Sequence, residues 1–257
     1  MNIENATIIS NVEIANGIWR MTITARETSS QYQGPGQFIN LLSDDGWEHP
    51  IRRPMSIANV RGEKIDIIYK IFGIVTKQLS QKTSGDSINI LGPLGNVFTG
   101  WKTRKTVLVG GGVGLAPILN LYDSCPDSTL IIGARTADEH FIEHEPGNNI
   151  YLTTDDGSLG IAGNVINALE NLDFDDRTII YACGPEPMLK AIQHFAAENK
   201  IKAQLSVESY IGCGVGLCQG CVIERQNGQL KKHSYHKKYT LVCMDGPVYW
   251  SNEVNFG

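Results

Sequence analysis

The first hundred residues alternate apolar and polar side chains with a period of two. The alternation is clearest in two runs, residues 19–24 and residues 65–71. Stretches that contain Gly or Pro separate these runs, at 34–36, 61–62 and 92–93. Short alternating runs between such turns predict an antiparallel sandwich or barrel. One short helix is predicted inside this region, from Thr76 to about Lys82, with Thr76 as its N-cap.

From Trp101 onward, short apolar runs alternate with helical stretches. The apolar runs are residues 106–109, 129–133, 150–153, 178–182 and 204–207. The predicted helices are residues 116–122, 161–171 and 186–199. Strands and helices in alternation predict a parallel sheet that is covered by helices on both faces.

The last fifty residues form a third kind of sequence. They are rich in Gly and Cys, then basic, and they hold too little apolar sequence for an independent core. We therefore predict a β-barrel plus α/β fold in three segments: an antiparallel barrel over 1–100, a parallel-sheet α/β domain over 101–207 and a small C-terminal domain over 208–257.

Composition and charge exclude several classes of protein. The chain has 257 residues, of which 42% are hydrophobic, and 22 Lys and Arg against 27 Asp and Glu give a net charge of −5. This is the composition of one or two globular domains, and it disfavours a nucleic-acid binder, which needs a basic face. The only dense basic run is interpreted as a solvated loop or a docking surface: Lys231, Lys232, His233, His236, Lys237 and Lys238.

The location of the protein is predicted from what the sequence lacks. No apolar stretch approaches the roughly 20 residues that cross a bilayer, and the first ten residues do not form a secretion signal. We therefore expect a cytoplasmic protein with no membrane contact. In that reducing compartment the six cysteines are not expected to form disulfides.

Four of the cysteines are spaced as a cluster-binding motif. Cys213, Cys218, Cys221 and Cys243 form C-x4-C-x2-C with a distant fourth Cys, the spacing of plant-type [2Fe–2S] proteins, in which each iron takes two thiolates. The glycines between them let the loop wrap tightly and bring backbone N–H groups to the sulfurs. A structural zinc site and unligated thiols are the alternatives, although zinc sites usually pair two C-x2-C motifs. Cys125 lies outside this motif, at a predicted helix end.

Two strand ends predict a nucleotide site. Residues 107–109 lead into Gly110, Gly111, Gly112, Val113 and Gly114, and a helix follows. Such glycines let a pyrophosphate approach the backbone and the helix N-terminus; a tight turn without a ligand is the alternative, because the full GxGxxG pattern is missing. Residues 181–185 form a second strand end, and a dinucleotide binds where such ends face one crevice.

The charges after the second predicted strand of the parallel sheet, residues 129–133, bear on the choice between NAD(H) and NADP(H). Arg135 is followed by Asp138 and Glu139, and the two carboxylates would repel a 2′-phosphate, so NAD(H) is predicted over NADP(H). Asp155 and Asp156 are interpreted as turn residues. No general acid, general base or hydrolytic triad is proposed, so the expected set of catalytic residues is empty.

Several motifs together resemble the ferredoxin-reductase superfamily. They are RRPMSIA at 52–58, LGPLGN at 91–96, GGGVGLAPI at 110–118 and ACGPEPM at 182–188. TDDGS at 154–158, GCGVGLCQGC at 212–221 and VCMDGPVY at 242–249 narrow the resemblance to the electron-transfer subunits of NAD-dependent (class B) dihydroorotate dehydrogenase.

The resemblance implies cofactors and the residues that hold them. It implies that FAD contacts Arg53, Pro54, Met55, Ser56, Ile68, Tyr69, Lys70, Val75 and Thr76. Taken alone, Arg53 would be interpreted as a surface ion pair, and Val75 stands where the family usually has a second glycine. NAD is expected at Gly110, Gly111, Gly112, Gly114, Cys183, Gly184 and Pro185. A small buried thiol is the other interpretation of Cys183.

The resemblance also implies the function. Dihydroorotate would be oxidised on FMN in a separate catalytic subunit, and electrons would pass through the [2Fe–2S] cluster and FAD to NAD, in pyrimidine biosynthesis. A heterotetramer with two copies of each subunit is expected. One alternative is a flavin and iron–sulfur subunit of a ferredoxin:NADP reductase or sulfide dehydrogenase. The non-enzymatic alternative is a nucleotide-binding redox or zinc sensor.

Overall fold

A computed structural model of the chain describes residues 1–43, 49–226 and 238–256. The first hundred residues form a closed antiparallel barrel with strand order β1-β2-β5-β4-β3-β6. Its strands are β1 (Asn2–Ala15), β2 (Ile18–Thr24), β3 (Phe38–Leu42), β4 (Arg53–Arg61), β5 (Lys64–Lys70) and β6 (Ser87–Leu94). Alternate residues of most strands, such as Ile65 and Ile67 of β5, are buried in the barrel core. The period-two pattern therefore predicted this barrel correctly.

Two short helices accompany the barrel, α1 (Arg26–Ser30) and α2 (Ile74–Ser80). The prediction that Thr76 caps the second helix is wrong, because Gly73 is the N-cap and Thr76 is the third helical residue. The Thr76 hydroxyl accepts hydrogen bonds from the backbone N–H groups of Phe72 (2.8 Å) and Gly73 (3.1 Å). A hydroxyl at this position can fold back on the helix start, so the same residue supports the turn from inside the helix.

A second sheet follows the barrel, with neighbours in the order β10-β9-β8-β7-β11-β12 and all pairs parallel. Its strands are β7 (Lys105–Gly111), β8 (Thr129–Ala134), β9 (Ile150–Thr154), β10 (Ile161–Ala162), β11 (Thr178–Cys183) and β12 (Lys202–Ser206). The helices between them are α3 (Leu115–Ser124), α4 (Val165–Leu169) and α5 (Glu186–Glu198). Two separate apolar clusters cover this sheet, as predicted for strands that alternate with helices.

One predicted helix of this domain is wrong. Residues 161–171 form a two-residue strand and then the short helix α4, whose N-cap Asn164 accepts a hydrogen bond from Ile166 N–H at 2.9 Å. Gly160 and Gly163 have φ angles of 70° and 107°, outside the helical region. These glycines break the helical path, although the apolar spacing continues across it.

The C-terminal tail contacts both the sheet domain and the barrel. Its strands are β13 (Val222–Arg225), β14 (Tyr239–Leu241), β15 (Val248–Trp250) and β16 (Val254–Asn255), with the short helix α6 (Val242–Asp245). Strand β15 pairs antiparallel with β12, so the tail completes the parallel sheet at its edge. The remaining three strands form a small sheet with the order β14-β13-β16.

The apolar residues of the tail do not form a core by themselves. Leu241 and Val242 share one buried cluster with Phe38, Leu91 and Leu94 of the barrel. The tail is also hydrogen-bonded to Asn96, which follows the last barrel strand. The Asn96 side-chain amide donates to the backbone carbonyls of Asp245 and Val248 and accepts from the Val248 N–H group. The tail is therefore both packed against the barrel and hydrogen-bonded to it.

The described helices include none that is long and apolar enough to cross a bilayer.

Contact between the barrel and the sheet domain is polar as well as apolar. The Asn120 amide on α3 donates to the Ile57 carbonyl (2.9 Å) and to the Tyr32 hydroxyl (2.7 Å). These bonds fix the sheet domain against strand β4.

Candidate functional site

A cleft of about 440 Å³ lies between the barrel, the sheet domain and the start of the tail. Most of the residues expected to contact FAD line it, together with Cys183: Pro54, Met55, Ser56, Ile68, Tyr69, Lys70 and Thr76. Phe38, Ile211 and Pro247 also line it. The barrel brings these residues together because the antiparallel strands β4 and β5 begin and end, respectively, at the same edge of the barrel.

Two of the expected flavin residues, Arg53 and Val75, do not line the cleft, and a third, Tyr69, lines it although it also packs in the barrel core. The Arg53 guanidinium donates to the Ile51 carbonyl at 2.6 Å and does not line the cleft. Val75 is buried in the barrel core, and so is the ring of Tyr69, whose hydroxyl donates to Asn11 at 2.9 Å. The burial of Val75 shows that its extra carbon atoms fill the barrel and leave the cleft open.

A second cleft of about 380 Å³ lies at the carboxyl ends of the parallel strands. Gly111, Gly112 and Pro185 line it, as the sequence predicts for a nucleotide site. Gly114 and Gly184 have a different role, because they let the two strand-end loops touch. A Cβ on Gly114 would lie 2.5 Å from the backbone of Cys183 and Gly184. A Cβ on Gly110 would meet Leu115 at the start of α3.

The two clefts are continuous. Both are lined by Lys70, Phe72, Val113 and Glu208. A flavin ring in the first cleft and a nicotinamide ring in the second would meet at this junction. Phe72 and Glu208 were missed in the sequence, because neither belongs to a motif that we used; their signal is their position directly after strands β5 and β12.

Glu208 lies at the junction, and Cys183 lines the first cleft near it. Glu208 faces the clefts and is enclosed by protein on its other sides, and this enclosure raises the pKa of its carboxyl group. Burial also raises the pKa of the Cys183 thiol, and the nearby Glu208 carboxylate adds to the effect. Cys183 is only 2% exposed, so it stays a neutral thiol at neutral pH.

The four motif cysteines meet as two pairs. The Cys218 thiol donates to the Cys213 sulfur, and the Cys243 thiol donates to the Cys221 sulfur. Backbone N–H groups of Val215 and Cys218 also donate to the Cys213 sulfur, each at 3.4 Å. Burial raises the pKa of Cys213, but these hydrogen bonds outweigh it and lower the pKa below its usual value.

The second pair is poised to lose a proton. The hydrogen bond from Cys243 lowers the pKa of Cys221 to about 6 and raises the pKa of Cys243. The Cys243 backbone N–H also donates to the Cys221 sulfur at 3.4 Å. Thiolates are the ligands that iron and zinc require, so this electrostatic environment suits a metal site.

The arrangement of the sulfurs fits a cluster with two irons. The thiols meet two by two, as Cys213 with Cys218 and Cys221 with Cys243. A zinc ion needs four ligands around one centre, but two irons take two thiolates each. Gly214 and Gly216 have φ angles of 75° and 76° and pack against Asn40 and Met244, so the loop can turn tightly around a cluster.

The cysteine loop and the first cleft share a wall. Phe38, Val207 and Ile211 line the cleft and also pack in the apolar cluster that contains Cys221 and Cys243. The same side chains therefore line the cleft and belong to the cluster that holds the buried pair of thiols. A flavin in the cleft and a cluster on the cysteines would share these neighbours.

The barrel, the parallel-sheet domain and the cysteine-rich tail define a ferredoxin-reductase-like protein with an iron–sulfur binding domain. Residues 208–255 match the family model of the iron–sulfur cluster binding domain of dihydroorotate dehydrogenase B. The chain belongs to the family of electron transfer subunits of NAD(+)-dependent dihydroorotate dehydrogenase B, and its similarity to individual members extends over nearly its full length.

Two relatives and one solved structure illustrate this similarity. The electron transfer subunit of Fusobacterium nucleatum is 37% identical, with 99% of each chain covered. The subunit of Caldanaerobacter subterraneus is 36% identical, with 98% of each chain covered. The structure of an NADH-dependent reduced ferredoxin-NADP oxidoreductase, described for flavin-based electron bifurcation, is 26% identical with a TM-score of 0.82, covering 98% of this chain and 90% of the other.

Proposed function

We propose that this chain passes electrons between NAD(H) and an FMN-containing catalytic subunit that oxidises dihydroorotate, a step of pyrimidine biosynthesis. FAD and a [2Fe–2S] cluster are its cofactors. The observation that carries the proposal is that Phe38, Val207 and Ile211 line the flavin cleft and also pack in the cluster that contains Cys221 and Cys243. The family membership identifies the reaction to which this relay belongs.

The residues of the chain would hold three groups side by side: the nicotinamide nucleotide, FAD and the [2Fe–2S] cluster. Gly111 and Gly112 leave room at a strand end for a pyrophosphate, and Pro185 lines the same cleft. Pro54, Met55 and Ser56 form the barrel wall of the flavin cleft, with Lys70 as a cation at its edge. Bound FAD supplies the conversion between two-electron nicotinamide chemistry and one-electron cluster chemistry. Cys213, Cys218, Cys221 and Cys243 would ligate the irons.

The three segments predicted from the sequence are proposed as the functional units of this relay: 1–100 for FAD, 101–207 for NAD and 208–257 for the cluster. Strand β15 belongs to the third segment and pairs with the sheet of the second. The second and third units would therefore bind different groups, although they share one sheet.

The surface around the cluster loop would bind the catalytic subunit. Tyr210 and Leu217 are 96% and 79% exposed, and the neighbouring Cys218 is exposed too. Large apolar side chains beside a ligand cysteine favour a surface that a partner covers. The basic run named above lies outside the described residues except for Lys238, which pairs with Glu224 at 3.1 Å. A heterotetramer with two copies of each subunit is proposed.

The test is anaerobic isolation of the chain after expression with its neighbouring catalytic subunit. We expect about two irons and one FAD for each chain, a copurifying dihydroorotate dehydrogenase and a mass of two plus two subunits by light scattering. Addition of NADH should bleach the flavin and cluster absorption bands. A chain that holds neither iron nor flavin would contradict the proposal.

Two cysteine variants make this test specific. Cys218→Ser should lose the cluster absorbance and the electron transfer to the partner, because one iron loses a thiolate ligand. Cys125→Ser is the matched control, since Cys125 lies at the end of α3 and its thiol donates to the Leu121 carbonyl at 3.0 Å. Full cluster content in Cys218→Ser, or equal loss in both variants, would argue against the assigned ligands.

The similarity to the NADH-dependent ferredoxin-NADP oxidoreductase supports one alternative, a flavin and iron–sulfur subunit of a ferredoxin:NADP reductase. Identity of 37% over 99% of the chain with a dihydroorotate dehydrogenase subunit favours the first function over this one. The copurifying partner decides between them. A chain that binds zinc, or that carries cofactors without oxidising NADH, would instead be a sensor.

A further inference from the structure

Asn40 carries a buried side-chain amide without a hydrogen-bond partner among the described residues. Its side chain is 0% exposed, and neither its Nδ2 nor its Oδ1 atom has a partner in the part of the chain that the structure describes. Buried side-chain amides are nearly always hydrogen-bonded, because burying one without a partner destabilises the fold. Both atoms of this amide are unpaired within the described ranges, and its position beside the cysteine loop points to a partner on a group that the loop binds.

The strand directs this amide toward the cysteine loop. Ile39 and Leu41, its neighbours in β3, point into the barrel core, so Asn40 faces the outside of the barrel. Its backbone pairs with Pro54 and Leu91, which fixes the direction of the side chain.

The loop that carries the first ligand lies against this amide. Gly214 follows Cys213 directly, and a Cβ on Gly214 would lie 2.5 Å from the Nδ2 atom of Asn40. The same Cβ on Gly214 would lie 3.0 Å from the Leu94 side chain, which offers no hydrogen-bond acceptor. Nδ2 is a donor, so the acceptor it lacks is to be found on the loop or on what the loop holds.

We propose that Asn40 is a positioning residue of the iron–sulfur site, which donates a hydrogen bond from its side-chain amide to a sulfur atom on the Cys213 side of the bound cluster. This inference rests on the proposed function. Val215 and Cys218 already supply two backbone donors to the Cys213 sulfur. Asn40 adds a third donor, and this one comes from the flavin-binding barrel.

The placement has a consequence for electron transfer. Reduction adds a negative charge to the cluster, and hydrogen bonds to its sulfurs stabilise that charge and raise the reduction potential. Because Asn40 belongs to β3, a residue of the flavin-binding barrel would then help to set the reduction potential of the cluster. The amide also fastens the cysteine loop to the barrel only when the cluster is bound.

The test replaces the amide by an apolar group of similar size in the full-length chain, with cluster and flavin loaded anaerobically. Asn40→Leu should lower the cluster midpoint potential, measured by electron paramagnetic resonance during a redox titration. The expected change is about tenfold in the one-electron reduction equilibrium, which corresponds to 59 mV. The cluster-free variant should unfold at the same temperature as the cluster-free wild type or a higher one, because an unpaired buried amide is removed.

Thr28→Val is the matched control. Thr28 is also 0% exposed, its Oγ1 atom also lacks a partner among the described residues, and it lies on α1 of the barrel. Its replacement should change the unfolding temperature of the loaded and cluster-free chains equally and leave the midpoint potential unchanged. A potential that shifts equally in both variants would overturn the proposal.

A measurement on the wild type keeps the test valid if Asn40→Leu does not fold. The segments 212–221 and 242–249 contain no Asn. In a chain labelled with ¹⁵N-asparagine, the reduced cluster should therefore show a ¹⁵N hyperfine coupling that originates outside these segments. Absence of this coupling would overturn the role of Asn40. A loaded cluster with unchanged potential in Asn40→Leu overturns the role of Asn40 alone, whereas a chain without iron overturns the proposed function as well.

Discussion

Lys70 and Glu139 connect the barrel to the sheet domain, with the Lys70 Nζ atom 2.8 Å from the Glu139 Oε1 atom. Arg135 pairs with the same carboxylate at 3.3 Å. Both cations at the edge of the second cleft are therefore engaged by one acidic residue. A 2′-phosphate would need at least one of these cations, so their pairing with Glu139 favours NAD(H).

Replacing Glu139 should weaken the preference for NAD(H). Glu139→Gln releases Lys70 and Arg135, and we expect kcat/KM for NADPH relative to NADH to rise about tenfold, or about 1.4 kcal/mol. Steady-state oxidation of both nucleotides with an artificial acceptor measures the ratio. Asp138→Asn is the control, because Asp138 bonds Asn16 and Thr136 and does not line the cleft. An unchanged ratio in Glu139→Gln would refute this explanation of specificity.

Glu208 should cost stability at neutral pH. Its pKa is raised above the ordinary 4.5 by enclosure, so the folded chain favours the protonated carboxyl group. The contribution to stability is complete below about pH 4.5 and is lost as the pH rises through the raised pKa. Glu208→Gln should therefore raise the unfolding temperature at pH 8 but not at pH 4, measured on the cofactor-free chain.

The same variant should lose function where it gains stability. Because Glu208 lies at the junction of the two clefts, Glu208→Gln should slow NADH oxidation and alter its pH profile. Glu170→Gln, at an exposed carboxylate after α4, should change neither quantity. An equal gain of stability at both pH values would show that the Glu208 charge is not the cause.

Gly114→Ala should disrupt the contact between the two strand-end loops. The added Cβ would lie 2.5 Å from the backbone of Cys183, and overpacking against backbone costs about 2 kcal/mol. We expect a lower unfolding midpoint in urea and weaker NADH binding. Gly147→Ala, which meets nothing within 4 Å, should stay within about 0.5 kcal/mol of the wild type. Equal effects of the two variants would contradict the contact.

Asn96→Ala should release the tail from the barrel. The Asn96 amide donates to the carbonyls of Asp245 (3.0 Å) and Val248 (2.8 Å), and its oxygen accepts from Val248 N–H at 2.9 Å. Losing these bonds leaves buried backbone groups unpaired, at a cost of about 1–3 kcal/mol.

Hydrogen exchange should locate this effect. In Asn96→Ala, amide exchange should accelerate in β15 before it does in the barrel core, and the cluster should be lost faster in air. Asn171→Ala removes an exposed bond to the Asn167 carbonyl (2.7 Å) and is the control. Uniform acceleration across the chain would mean that Asn96 supports the whole fold and not the tail alone.

The sequence predicted best what is encoded locally. The cysteine spacing of 213–221 is a property of one loop, and the period-two runs of the barrel depend on neighbouring residues only. The sequence was a poorer guide where the backbone conformation departs from what the residue types suggest. Apolar spacing favoured one helix over 161–171, but the left-handed backbone of Gly163 ended that path. Thr76 has the residue type of an N-cap, yet Gly73 takes that position.

The sequence by itself determined the barrel, the alternating strands and helices, and the thiolates available for a cluster, because each depends on residue type and short spacing. Only the tertiary structure decided which distant residues meet. Phe38 and Cys221 are separated by most of the chain but pack in one cluster, and Glu208 and Lys70 face one junction. Such contacts arise when strands from different segments close around one core, and no local pattern encodes that closure.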